Sequence, residues 1–237
     1  PKGSSLIEFM RRKFGKSLFK LISLMTIFYM FIFLSAEVTA ISVLINYISG
    51  TEFWITALVV LSSTLIYTLY GGLKASIFTD NIQMIVIGVL LIISFIYITS
   101  FTGSKFSFDF VIKKNPQLLS SNYIPNYTAG LTFFIAVAAT NLFHQGNWQR
   151  VYAAKNYQTL KKSLIISFLI IIPIVLFMGF SGMVAFSIDP NIRPDLGFFS
   201  LLLKEQTIFL SLFIIILGMA LTISTVDTLI NAISSLV

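Results

Sequence analysis

The chain has 237 residues, of which 57% are hydrophobic and 11% are charged, and its formal net charge is +7. A soluble domain of this length needs about 25% charged residues to keep its surface hydrated. The composition therefore excludes a soluble enzyme, a disordered chain and a nucleic-acid-binding protein. The sequence also contains no cysteine, which excludes disulfides and thiolate metal sites.

Six apolar segments are long enough to cross a lipid bilayer as helices. About 20 residues span a hydrocarbon core about 30 Å thick, and backbone amides cannot stay unpaired in lipid. The predicted spans are residues 18–48, 53–70, 76–101, 128–147, 163–186 and 207–237. We therefore predict an all-α polytopic membrane protein, with residues 1–237 forming one transmembrane domain that is truncated at both ends.

Basic residues are distributed unevenly between the two sides of the predicted spans. One side carries Lys2, Arg11, Arg12, Lys13, Lys16, Lys20, Lys74, Arg150, Lys155, Lys161 and Lys162. The other side carries Lys105, Lys113, Lys114, Arg193 and Lys204. Because cytoplasmic loops are enriched in Lys and Arg, we expect both ends of this segment to lie in the cytoplasm. We expect the chain to be part of an integral protein of the plasma (cell inner) membrane.

Polar stripes lie on one helical face of the third span and of the last span. They consist of Ser76, Thr79, Asp80 and Gln83 in the third span and of Ser224, Asp227, Thr228 and Asn231 in the last. A glycine turn at residues 70–72 makes the second and third spans antiparallel neighbours, and alternation of direction then places both stripes towards the cytoplasmic side. A carboxylate opposite hydroxyl groups suits a hard cation such as sodium. The alternative is that these side chains are hydrogen-bonded contacts between packed helices.

Two further polar features are open to more than one interpretation. Glu37 in the first span has no partner stripe, so a structural or gating hydrogen bond is the favoured role for it. The fourth span gives way to a polar, aromatic and glycine-containing segment over residues 140–150. This segment is either a broken helix lining a solute cavity or the interfacial end of the span.

Several motifs together resemble the sodium/solute symporter family. They are the Gly71-Gly72-Leu73-Lys74-Ala75 turn that runs into Thr79-Asp80-Asn81-Ile82-Gln83, the Gln149-Arg150-Val151-Tyr152-Ala153-Ala154-Lys155 stretch, and Ser224-Thr225. The resemblance covers essentially the whole chain, which corresponds to about half of a family member. It implies the five-plus-five inverted-repeat transporter core, of which this chain supplies core helices three to eight.

The resemblance also implies binding residues. The main sodium site uses the Ser224 and Thr225 hydroxyls and the Leu221 carbonyl, together with the first core helix, which is not among these residues. A second sodium site joins Asp80 to Ser224, Asp227 and Thr228, and here Asp227 stands where a hydroxyl residue is more usual. The solute cavity is lined by the sixth core helix, which implies Asn141, Phe143 and His144.

These observations predict a sodium-coupled secondary active transporter that imports a small polar organic solute, without an organic cofactor. A proton-coupled carrier on the same scaffold, with Asp80, Asp227 or His144 titrating, is the first alternative. A transporter-like membrane sensor is the second. An enzyme is not expected, because the sequence lacks a paired acid–base or metal-ligand constellation.

Overall fold

A computed structural model describes residues 6–205 and 207–236 of the chain. The α-helices are α1 (Leu6–Ser49), α2 (Phe53–Thr102), α3 (Phe108–Lys114), α4 (Ile124–Leu142), α5 (Gln145–Ala153), α6 (Tyr157–Ile188), α7 (Gly197–Leu202) and α8 (Ile208–Ser234). Short 3-10 turns cover Gly103–Lys105, Pro116–Leu119 and Pro194–Leu196. The described residues contain no strand, so the all-α prediction is confirmed for that part of the chain.

Among the described residues, 4 helices are long and apolar enough to cross a membrane. They cover Arg11–Ser49, Phe53–Lys105, Tyr157–Ile188 and Ile208–Ser234. Several such helices in one chain agree with a polytopic membrane protein. The number of six spans and the inverted repeat stay predictions.

The sequence provides polar side chains and glycine where these helices begin and end. The backbone N–H of Phe110 donates to the Ser107 hydroxyl at the start of α3, and the N–H of Leu210 donates to the Thr207 hydroxyl at the start of α8. Such side-chain caps satisfy amides that have no partner in the first helical turn. Gly50 adopts φ 72° and its N–H donates to the Asn46 carbonyl, which ends α1 with the left-handed residue typical of a helix C-terminus.

Helix α2 changes direction at Gly72. This residue has φ 54° and ψ −151°, a conformation that essentially only glycine adopts. The hydroxyls of Tyr67 and Thr79, on either side of it, both donate to Asp227 Oδ2 at 3.1 Å. An uninterrupted helix would hold the Cα atoms of these two residues about 18 Å apart, so the chain must bend between them. The bend lies within the predicted glycine turn.

The polar segment after the predicted fourth span contains a helix break. Helix α4 ends at Leu142, short of the predicted end at Asn147, and α5 starts at Gln145. The ring of His144 explains the break, because its Nδ1 accepts the N–H of Asn147 at 3.3 Å and caps the new helix. Of the two interpretations of this segment, the structure agrees with a broken helix.

The described residues form two compact units. The first comprises residues 1–86, 137–160 and 218–237, as far as these are described. Its core includes the buried side chains of Met30, Leu229 and Ala232, which pack with Tyr29 and Phe33. Gly218 permits close packing there, because a Cβ at this position would lie 2.5 Å from Leu44 Cδ2.

The second unit comprises residues 87–136 and 161–217, again as far as these are described. Aromatic rings fill much of it: the Phe177 ring lies edge-on to Phe95 and to Phe198, with centroid distances of 5.2 and 5.7 Å. Asn115 on the loop after α3 donates from Nδ2 to Ser187 Oγ on α6 at 3.2 Å. The polar stripes of the sequence lie in the first unit, where the candidate site is found.

Candidate functional site

The polar stripe of α8 faces the interior of the first unit. Asp227 is fully buried, Thr228 and Asn231 are buried, and Ser224 is half-buried. Most of the other residues of this helix are apolar, and Val226 and Leu229 near Asp227 are also fully buried. A buried carboxylate is costly in such surroundings unless hydrogen bonds satisfy its oxygens. The neighbours of Asp227 and of Asp80 show how each carboxylate is satisfied.

Asp80 is held by a hydroxyl and a guanidinium. Ser224 Oγ donates to Asp80 Oδ1 at 2.6 Å, and Arg150 Nη2 forms an ion pair with Asp80 Oδ2. The same Nη2 atom also donates to Thr228 Oγ1 at 2.7 Å. The exposed fractions of the two side chains are 36% for Arg150 and 21% for Asp80, so this end of the cluster is less buried than Asp227. Helices α2, α5 and α8 meet here.

Asp227 is surrounded by hydroxyl groups. Ser76 donates to Oδ1 at 3.1 Å, Tyr67 and Thr79 donate to Oδ2, and Thr228 Oγ1 lies 3.2 Å from Oδ1. An ionised carboxylate offers about four acceptor positions, and the hydroxyls of Tyr67, Ser76 and Thr79 can fill three of them. Thr228 connects the two carboxylates, since it contacts both Arg150 and Asp227.

Gly146 allows α5 to approach α8 closely enough for Arg150 to reach the cluster. A Cβ at position 146 would lie 2.5 Å from Thr228 Cγ2 and 3.1 Å from the His144 ring. One turn further along α5, Gln149 Nε2 donates to Ser235 Oγ at 2.8 Å. Helix α5 is therefore joined to α8 by packing and by a hydrogen bond that do not involve Arg150.

The residues implied for the main sodium site lie within one turn of α8. Thr225 Oγ1 donates to the Leu221 carbonyl at 3.3 Å, and both residues are half-buried. Ser224 lies beside them in sequence and also contacts Asp80, so it is common to both implied sodium sites. The two sets of oxygens are therefore adjacent rather than separate.

The three residues implied for solute binding have different surroundings. Asn141 is exposed and its Oδ1 accepts from Asn147 Nδ2 at 2.8 Å. His144 is buried, with its ring edge-on to Tyr29 and Phe33. Phe143 lines an apolar cavity of about 330 Å³, together with Met25, Phe28, Tyr29, Ile32, Ala139 and Thr140. All three residues lie at the helix break, and Tyr29 lies beside both the His144 ring and the cavity that Phe143 lines.

Sequence reasoning missed two members of the cluster and left one candidate outside it. The sequence predicts Arg150 on the cytoplasmic side and in the Gln149–Lys155 motif but not in a binding site, and it predicts Tyr67 only as part of an apolar span. Glycine at position 146, one turn before Arg150, is the signal for a close helix contact that could have placed Arg150 inward. Glu37 is half-buried on α1 and is not part of the cluster.

Comparisons with known proteins agree on one family. The model described as "Sodium:solute symporter family" matches residues 4–237. The chain is 29% identical over 239 residues to the spermidine transporter DUR31 of Candida albicans (strain SC5314 / ATCC MYA-2876), an alignment that covers 99% of this chain and 45% of that protein.

Two mouse cotransporters are also similar to the chain. Sodium/glucose cotransporter 1 of Mus musculus is 30% identical over 129 residues, which is 52% of this chain and 18% of that protein. Sodium/myo-inositol cotransporter 2 of Mus musculus is 26% identical over 214 residues, which is 79% of this chain and 31% of that protein. The chain thus spans less than half the length of these relatives, and no solved structure gives a significant match.

Proposed function

Because the chain belongs to the sodium:solute symporter family, we propose that its protein is a sodium-coupled secondary active transporter that imports a small polar organic solute. The observation that carries the proposal is the meeting of Asp80, Ser224 and Thr228 in a family member. A carboxylate and two hydroxyls provide the oxygen ligands that a hard cation prefers. Family membership and the apolar helices make the chain an integral membrane protein.

Two adjacent positions on α8 are proposed for sodium. The first uses the Leu221 carbonyl with the Ser224 and Thr225 hydroxyls. The second uses Asp80 with the stripe residues Ser224, Asp227 and Thr228. Support for the second position comes from the hydrogen bond of 2.6 Å between Ser224 and Asp80, which brings a carboxylate into direct contact with the stripe.

The solute is proposed to bind near the break between α4 and α5, at Asn141, Phe143 and His144. The relatives are named for spermidine, glucose and myo-inositol, each of which is a small polar organic molecule. A break exposes backbone polar groups and is a common way for carriers to bind solute. The aromatic residues around His144 and Phe143 would supply apolar walls for such a molecule.

Coupling needs no chemical step, in keeping with relatives that are transporters and not enzymes. Sodium drives solute uptake when it binds one conformation more tightly than the other, and the same coupling free energy acts on the solute. The proposal includes the inverted-repeat core, the six spans, the plasma membrane location and the cytoplasmic position of both ends of this segment.

Solute uptake into proteoliposomes that contain the whole protein tests the proposal. We expect an inward sodium gradient to drive uptake, and Ser224→Ala to reduce it because that variant loses one hydroxyl ligand and the contact with Asp80. Thr99→Ala is the control, since the Thr99 hydroxyl donates to a carbonyl of its own helix, α2. Uptake that ignores sodium and follows a proton gradient would replace this proposal with the proton-coupled carrier.

A further inference from the structure

Arg150 contacts the oxygen atoms that the second proposed sodium position would use. Its Nη2 atom donates to Asp80 Oδ2 and to Thr228 Oγ1. A guanidinium and a sodium ion that share one carboxylate oxygen repel each other, so the two cations disfavour each other there. We propose, on the basis of the proposed function, that Arg150 is a tethered cation that competes with sodium for Asp80.

The position of Arg150 makes such an exchange feasible. More than a third of its side chain is exposed, and Asp80 is partly exposed as well. A partly exposed ion pair is worth little net free energy, because water and salt stabilise the separated charges. The long arginine side chain can turn towards water while its backbone stays in α5. Sodium then gains both Asp80 Oδ2 and the free lone pair of Thr228.

The structure also argues against a purely structural role for Arg150. Helix α5 is held to α8 by the packing of Gly146 on Thr228 and by the hydrogen bond from Gln149 to Ser235. These contacts remain when the guanidinium leaves. When sodium is absent, another cation has to take its place, because the Asp80 and Asp227 carboxylates lie in one cluster and repel each other. Arg150 supplies that cation.

The exchange would link sodium to the solute region. Arg150 lies on the same short helix that His144 caps, and that helix starts at the break proposed for solute binding. When sodium displaces the guanidinium, the last turn of α5 loses the contacts that Arg150 makes with Asp80 and Thr228. The first turn of the same helix lies beside the proposed solute position. Sodium and solute can thus influence one another through a helix of 9 residues.

The experiment measures sodium affinity in the purified whole protein by the sodium-induced shift in thermal unfolding. We expect Arg150→Gln to lower the half-saturating sodium concentration about tenfold, the change expected when one competing charge-assisted hydrogen bond is removed. Arg150→Lys keeps the tethered charge and should stay near the wild-type value. Gln149→Ala breaks the neighbouring contact with Ser235 without removing a charge, so it should not tighten sodium binding.

A cysteine at position 150 provides a second test if Arg150→Gln does not fold. The 237 residues contain no cysteine, so Arg150→Cys can be labelled selectively once any cysteines elsewhere in the whole protein are replaced. A reagent that adds a neutral methylthio group should leave sodium affinity high. A reagent that adds an ethylammonium group should return it towards the wild-type value, because it restores a tethered cation.

The outcomes separate this proposal from the proposed function. A sodium affinity that is unchanged or weaker in Arg150→Gln, or that does not depend on the charge attached at position 150, overturns the competition. A protein that shows no sodium-induced shift, either with arginine or with glutamine at position 150, overturns the sodium assignment itself.

Discussion

Two arginine–aspartate pairs in this protein have similar chemistry and very different surroundings. Arg193 and Asp195 are two residues apart in a loop and form two hydrogen bonds, at 2.6 and 3.2 Å. Arg150 and Asp80 are 70 residues apart and use a single Nη2 atom, which also contacts Thr228. The loop pair has the better bidentate geometry, but both of its side chains are more than half exposed.

The comparison shows that the contribution of an ion pair to stability and function depends on what else its atoms contact. The loop pair is largely exposed, and exposed ion pairs contribute little to the free energy of unfolding. The pair at Asp80 belongs to a cluster that reaches Asp227 through Thr228 and joins three helices. Substitutions at the cluster should therefore change sodium response and stability, whereas matched substitutions in the loop should not.

The largest effect is expected from Asp80→Asn. This variant keeps the size of the side chain and removes the charge that Arg150 and sodium would share. Loss of one charge-assisted contact is worth about 1.5–3 kcal/mol, so the half-saturating sodium concentration for uptake should rise about 10- to 100-fold. The matched control is Asp195→Asn, which makes the same chemical change in the loop. Equal effects of the two variants would contradict the comparison.

Asp227→Asn should lower the free energy of unfolding. The carboxylate is fully buried and accepts from three hydroxyls, and an amide presents two N–H donors to groups that also donate. We expect the free energy of unfolding to fall by about 1.5–3 kcal/mol, as measured by thermal or denaturant unfolding in lipid nanodiscs. A variant as stable as the wild type would show that the hydroxyls rearrange without cost.

Gly146→Ala tests whether close packing brings Arg150 to the cluster. The added Cβ meets Thr228 Cγ2 at 2.5 Å, so α5 has to move away from α8. Overpacking of this kind costs about 1–3 kcal/mol, and unfolding measurements should show the loss. Gly88→Ala in α2 is the control, because a Cβ there has nothing within 4 Å. Similar unfolding curves for both variants would mean that α5 can shift freely.

Arg193→Ala should have the smallest effect on the free energy of unfolding, and that effect should depend on pH. The hydrogen bond from Arg193 lowers the pKa of Asp195 below its ordinary value. A lowered folded-state pKa contributes stability above the ordinary pKa, and this contribution is lost as pH falls through the folded value. The variant should match the wild type in unfolding at low pH and differ barely at neutral pH. A large difference at neutral pH would show that the loop pair matters after all.

The sequence predicted the helical class, the bend at the glycine turn and the candidates for the cluster because each has a local signal. Spacing along α8 places Ser224, Asp227 and Thr228 on one face whatever they contact. Asp80 does meet this face, although its role as a sodium ligand stays a prediction. The sequence could not provide the partner of Arg150, since that contact depends on packing between helices distant in sequence.

Helix α4 ends before Asn147, the predicted end of the fourth span, for a related reason. Apolar composition continues towards Asn147 only weakly, and the break at His144 depends on a ring nitrogen that accepts a backbone N–H. Such a cap leaves little trace in hydropathy, because histidine also occurs as an ordinary interface residue. Capping chemistry, and not hydropathy, therefore sets the point where α4 ends.

The hydrogen bonds to Asp227 fix the bend of α2 at Gly72. Tyr67 lies in the arm of α2 before Gly72 and Thr79 lies in the arm after it. Both hydroxyls donate to the same carboxylate oxygen, Asp227 Oδ2. Glycine alone would leave the angle between the two arms free to vary. With Asp227 bound to both arms, any displacement of α8 along its axis must either change that angle or break a hydrogen bond. The geometry of α2 and the position of α8 are therefore one mechanical variable.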